Sequence, residues 1–234
     1  MKLSRNINTA VFSLTLFLSF MSFADEEYND LSKIKITGTQ ADITFNTLSG
    51  SKTTVRVDKT KAASNCVYNS KMNSRELTID FTQTQNSLNC PFEFNISLPS
   101  GVDTEVVITR GKLKASGDFH DSILETDEGS IEVFGNGRSL DIIGKKTKID
   151  FKGATPSMQV EIDDGDVVID YTSLSGRGDN NLVSRKGNVT FIVPRGITLE
   201  GNYNQATYLG DYRTPSGFTF STKVNNGEFK IKRN

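Results

Sequence analysis

An 18-residue repeat in the second half of this 234-residue chain constrains its fold more than any other feature. The segments Gly111-Lys112-Leu113-Lys114-Ala115, Gly129-Ser130-Ile131-Glu132-Val133, Thr147-Lys148-Ile149-Asp150-Phe151 and Gly165-Asp166-Val167-Val168-Ile169 follow one another at this constant step. In each, the second and fourth residues after the start are apolar and the first and third mostly polar, Val168 excepted, which is the period of a half-buried strand. The unit returns as Gly187-Asn188-Val189-Thr190-Phe191 and Gly227-Glu228-Phe229-Lys230-Ile231 after longer intervals, the stretch from Gly187 to Gly210 being an enlarged coil. A second apolar ladder, Val106, Leu124, Ile142 and Val160, keeps the same period, with Leu140 and Met158 two residues before its last pair.

Strands this short cannot bury an apolar face alone, but like coils stacked about 4.8 Å apart align equivalent side chains into a continuous core. The spacing predicts an all-β fold, a single-stranded parallel β-helix (β-solenoid) with coils of about 18 residues. An antiparallel sandwich also alternates, but it does not demand a constant offset between matching side chains.

The corners between units are a second, independent signal. They read Thr109-Arg110, Asp127-Glu128, Lys145-Lys146, Asp163-Asp164 and Arg185-Lys186, so the sign of charge alternates from coil to coil. Stacked in register, each acidic corner lies between basic ones, and a slip of one coil would bring like charges together.

The first half is less regular. Ile34/Ile36, Ile43/Phe45, Val55/Val57, Leu77/Ile79/Phe81 and Phe92/Phe94/Ile96/Leu98 alternate between Gly-, Ser- and Asn-containing stretches, predicting strands and no substantial helix. With no Pro/Ser linker, residues 25–234 read as one elongated domain, 25–98 less regular and 99–234 built of regular coils, any boundary falling near Pro99.

Residues 1–24 have the form of a signal peptide: Lys2 and Arg5, the apolar run from Val11 to Met21, and Ser22-Phe23-Ala24 before Asp25. The run is about half the ~20 residues a membrane-spanning helix needs, and no later segment is apolar enough to cross. Removing Lys2 and Arg5 leaves 25 basic against 28 acidic residues, and no basic stripe of the kind that displaces counterions from nucleic acid is present. Export, to the periplasm or the cell surface, places Cys66 and Cys90 where disulfides persist, and they are read as a structural pair. With one histidine, His120, they cannot complete a four-ligand zinc site unless carboxylates join, so neither metal nor cofactor is expected.

Phe94-Asn95-Ile96-Ser97-Leu98-Pro99-Ser100-Gly101-Val102 and Val189-Thr190-Phe191-Ile192-Val193-Pro194-Arg195-Gly196-Ile197 share an alternating strand followed by Pro-x-Gly and a β-branched residue. With the Gly-x-apolar-x-apolar coils, this resembles the bacterial putative-adhesin family, related to auto-transporter adhesin head domains, over roughly residues 92–234. The resemblance implies a right-handed, single-stranded β-helix in an exported protein and brings no catalytic residues.

Candidate sites are few. Asp163, Asp164 and Asp166 with Glu125, Asp127 and Glu128 are oxygen-rich enough to suggest calcium or a general acid/base pair, but Lys145 and Lys146 lie between them in the repeat. Arg177-Gly178-Asp179, in a Gly/Asn-rich stretch that lengthens its coil beyond the regular ones, has the form of an integrin-recognition tripeptide and is a candidate binding loop. Tyr203, Tyr208 and Tyr212 are a candidate aromatic ligand patch, or an apolar cluster capping the end of the stack. His120, beside Phe119 in a turn-like stretch and with no Ser or Cys constellation that sequence places near it, reads as a lone surface histidine. The expectation is an exported, non-catalytic adhesin-like binding or structural protein whose partner is an envelope glycan or protein. The alternative is a glycan-active β-helix enzyme, which the absence of Trp and a count of only six Tyr disfavour, since sugar sites stack on aromatic faces.

Overall fold

The computed structural model describes residues 24–58, 66–82, 90–174, 177–204 and 209–234, and all secondary structure among them is β. The expected leader lies almost wholly outside these residues. The strands are β1 (Ala24–Asn29), β2 (Lys33–Leu48), β3 (Lys52–Asp58), β4 (Asn69–Asn73), β5 (Glu76–Phe81), β6 (Phe92–Pro99), β7 (Asp103–Ala154), β8 (Ser157–Asp164) and β9 (Val167–Tyr171). They continue as β10 (Gly178–Ser184), β11 (Val189–Val193), β12 (Glu200–Asn204), β13 (Leu209–Arg213), β14 (Phe218–Val224) and β15 (Phe229–Arg233). All fifteen join one mixed sheet that does not close on itself.

Through the middle of the sheet the pairing is parallel at the repeat's own offset. Ile142 faces Val160 and Ile149 faces Val167, each pair one repeat apart along the chain. Within β7 the same step recurs, as in the contact of Arg110 with Glu128. The step widens where Val160 faces Leu182, and widens again where Val189 faces Phe229.

Register explains the alternation. Ile36, Val106, Leu124, Ile142, Val160 and Leu182 are all buried, and Ile36 pairs with Val106 as Val160 does with Leu182, so the second ladder is a row of inward side chains. Ile43, Leu113, Ile131, Ile149, Val167 and Val189 form the matching row on the other face. Aromatic rings pack along the second half as well: Phe151 meets Tyr171 edge-on, and Phe191 stacks on Phe220 with centroids 4.1 Å apart. At about 25 cal/mol per Å² of apolar surface, such rows supply the stabilisation no single strand pair could.

The glycines opening the repeats sit at the corners. At Gly129 φ is +142°, and a Cβ would lie 1.8 Å from the Gly111 carbonyl oxygen of the neighbouring level. Backbone passes so closely over backbone there that only glycine fits.

Three features depart from an unbroken stack of coils. First, chain order is not spatial order: β2 pairs with β7 along one edge, Lys33 facing Asp103, and with β5 and β6 along the other. Second, antiparallel strands finish part of each end, although β15 pairs in parallel with β11. β1 pairs with β3 and β3 with β6 at one end, while β12, β13 and β14 form an antiparallel run at the other. A parallel stack leaves unpaired backbone groups at each end, and these strands occupy much of that edge. Third, Gly210 opens no coil: it lies in β13, in the hairpin that fills the enlarged interval, and Gly227 takes the place above Gly187.

Cys66 and Cys90 form a disulfide with Cα atoms 5.4 Å apart, tying the segment before β4 to the start of β6. The neighbouring Asn65 and Asn89 lie outside the described residues. Among the described residues no helix is long and apolar enough to cross a membrane.

Candidate functional site

The charged corners line up as one column along the molecule. Arg110 Nη2 donates to Glu128 Oε2 at 2.8 Å, and Lys145 Nζ reaches Asp127 Oδ1 at 2.7 Å. Lys146 faces Asp164 across the β7–β8 pair. Arg185 Nη1 approaches Asp163 at 3.3 Å, and Lys186 Nζ donates to Asp164 at 2.7 Å. Asp127 raises the proton affinity of the Lys145 ammonium, through its hydrogen bond first and its charge second. Asp166, the third acid of its corner, accepts from the Asn188 backbone N–H and side-chain amide at 2.9 and 3.1 Å. Five of the six carboxylates that sequence offers as a calcium or acid/base cluster, Asp127, Glu128, Asp163, Asp164 and Asp166, are thus held by cations and amides of the adjoining levels, which suits them to fix register.

Two further charge contacts join adjoining levels at other positions of the coil. Glu105 accepts from Lys33 and Lys35, both at 2.6 Å, and these bonds draw its carboxyl below the usual range. Lys152 reaches Asp170 at 3.1 Å, and Asn234 donates to the same carboxylate at 3.0 Å.

The structure breaks up the candidate binding loop. Gly178 and Asp179 belong to β10, clasped between β8 and β14, with Asp179 opposite Ser157 on one side and Thr219 on the other. The Asp179 carboxylate accepts from the Thr219 hydroxyl at 3.0 Å. A Cβ at Gly178 would meet the Phe218 ring at 2.7 Å and the Pro156 carbonyl at 2.8 Å. Arg177 alone of the three stands outside the strand, and Ser175 and Gly176 before it lie outside the described residues.

Of the tyrosine patch, Tyr208 lies outside the described residues and Tyr203 falls in β12. Tyr212 is buried, with its ring stacked on Phe229 at 5.9 Å. Its ring lies over Gly201 and Gly210, where a Cβ would come within 2.5 and 2.7 Å of it. That is the packing of a capping cluster. An open hollow of about 540 Å³ beside it is lined by Glu200, Asp211, Arg213 and Thr219 among others, with Arg213 and Glu200 paired at 3.4 Å.

His120 is not alone. Its Nδ1 lies 2.5 Å from Asp103 Oδ1 and its Nε2 lies 3.0 Å from Arg138 Nη1. Arg138 can only donate, so Nε2 accepts and the ring proton faces Asp103. Asp121 completes the group, its Oδ1 3.6 Å from Arg138 Nε. Sequence reasoning missed this cluster because Asp103, His120 and Arg138 come from three levels of the sheet. The available signal was arithmetic: one repeat length separates Asp103 from Asp121, and His120 from Arg138.

No family model and no curated protein sequence matches the chain. Solved structures do. A putative adhesin from Bacteroides fragilis covers 91% of this chain and 97% of its own, at 11% identity and a TM-score of 0.47. A putative cell adhesion protein from Clostridium sporogenes covers 91% and 100%, at 11% identity and a TM-score of 0.29. A putative adhesin from Parabacteroides merdae covers 91% and 96%, at 15% identity and a TM-score of 0.30.

Proposed function

We propose that this chain is an exported, non-catalytic binding or scaffold protein of the cell envelope, adhesin-like in character, which presents a long, charge-balanced face to a glycan or protein partner. On this reading its sheet winds as a right-handed parallel β-solenoid, residues 25–234 act as one elongated domain, and the leader of residues 1–24 is removed on export. The parallel offset that persists from β7 to β9, and the inward rows it aligns, support the solenoid. The Cys66–Cys90 disulfide supports an oxidising compartment.

The observation that carries the non-catalytic reading is the pairing of the corner carboxylates. A general acid or base must be free to exchange a proton with substrate. Asp127, Glu128, Asp163 and Asp164 instead sit in hydrogen-bonded or ion-paired contact with Lys145, Arg110, Arg185 and Lys186. The deciding experiment incubates the purified protein with envelope fractions and with a panel of acidic polysaccharides, with and without calcium. Co-sedimentation without release of shortened product is expected. Product release that Asp163→Ala abolishes would move the protein to the glycan-active enzymes.

A further inference from the structure

Asp103, His120 and Asp121 present a nitrogen and two carboxylate oxygens that all lie within 4.8 Å of one another, each residue half-buried. Asp103 faces Lys33 of the adjoining strand β2 on one side, and the repeat's step sets Asp121 over it on the other. Two carboxylates stacked at strand spacing repel unless a cation lies between or beside them. Lys33 faces Asp103 but gives its hydrogen bond to Glu105, which leaves Arg138 for Asp121, and Arg138 serves poorly. It is 3.6 Å from Asp121 Oδ1, outside hydrogen-bond length, and 67% of its side chain is exposed. Asp121 Oδ1 is meanwhile closed off from solvent and accepts no hydrogen bond. Asp121 thus keeps one shielded, unsatisfied oxygen on a side chain that is 44% exposed, beside an imidazole and a second carboxylate, and the group has room for a different occupant.

We propose that Asp103, His120 and Asp121 form a site for a divalent transition-metal cation of the zinc type, with Arg138 as a displaceable stand-in. One imidazole and two carboxylates supply three ligands of the kind such ions take, leaving a fourth position for water or for an oxygen of a bound partner. Calcium, which takes six to eight oxygens, is poorly served by this donor set. Binding moves the proton from His120 Nδ1, so the freed nitrogen ligates while Nε2 carries the hydrogen. A protonated Nε2 no longer accepts from Arg138, which swings into solvent. The cation also neutralises the Asp103–Asp121 repulsion, so loading stabilises the fold.

The test is titration of chelator-treated protein with zinc by calorimetry, and with cobalt(II) by its visible absorption, alongside thermal melts. One equivalent binds, the melting temperature rises, and the cobalt spectrum has the intensity of a four-coordinate site. Arg138→Ala tightens binding several-fold by removing the competitor. His120→Ala and the near-isosteric Asp121→Asn each weaken it tenfold or more while keeping the metal-free melting temperature within a few degrees of wild type. Should neither the wild type nor Arg138→Ala take up metal saturably, or should His120→Ala and Asp121→Asn bind as tightly as the wild type, the cluster is an ion-pair network only and the site does not exist.

Discussion

At the scale of single residues, the sharpest constraint is the glycine that opens most of the repeats. Adding a methyl group to Gly129 drives a Cβ into the Gly111 carbonyl and forces an L side chain to φ +142°. Gly129→Ala is therefore expected to cost about 2 kcal/mol or more, read as a lowered urea midpoint. Thr147 occupies the equivalent place one coil on and is buried, so the column tolerates a side chain where the backbone does not turn through positive φ. Glu105 shows a second kind of residue-scale control. Lys33 and Lys35 hold its carboxyl below the ordinary value, so its contribution is present above the unfolded carboxyl's pKa and lost as the pH falls through the folded one. Glu105→Gln should be less stable than wild type at pH 7 and converge with it at acid pH. Parallel stability curves across that range would rule the coupling out.

At the scale of elements, adjoining levels are matched by charge as well as by shape. Arg110, Asp127/Glu128, Lys145/Lys146, Asp163/Asp164 and Arg185/Lys186 form contacts between successive levels, and each acidic corner has basic neighbours on both sides. Such exposed pairs add little individually, but together they penalise a slipped register. Replacing Lys145 and Lys146 by Glu would place acidic residues on three successive corners. The double variant should melt below wild type at low ionic strength and recover much of the difference in high salt, because screening acts on exposed charges. An equal melting temperature at low salt would separate corner charge from register.

At the scale of the whole molecule, the sheet is long and its ends are finished differently from its middle. Antiparallel strands flank the parallel levels at both ends, and the disulfide binds the irregular first part to β6. The crosslinked residues are 24 positions apart, and closing a loop of that size restricts the unfolded chain by about 3 kcal/mol on the chain-entropy account. Cys66→Ser/Cys90→Ser should lose stability on that order in denaturant titrations under oxidising conditions. Reduction of the wild type should reproduce the loss and leave the double variant unaffected.

The sequence by itself determined the all-β class, the inward rows and the corner charges, because each is written as a constant offset along one dimension. Leu124, Ile142 and Val160 are legible as buried partners from spacing alone, and so are the pairings of Lys145 and Lys186 with the acidic corners. Tertiary structure decided what no fixed period encodes. It set β2 between β6 and β7, with Ala41 facing Phe92 on one side and Gly111 on the other, and clasped Gly178 and Asp179 inside β10. It also gathered Asp103, His120, Asp121 and Arg138 on neighbouring levels. Local alternation specifies which way a side chain faces, whereas the neighbours it meets there depend on which distant strand completes the sheet.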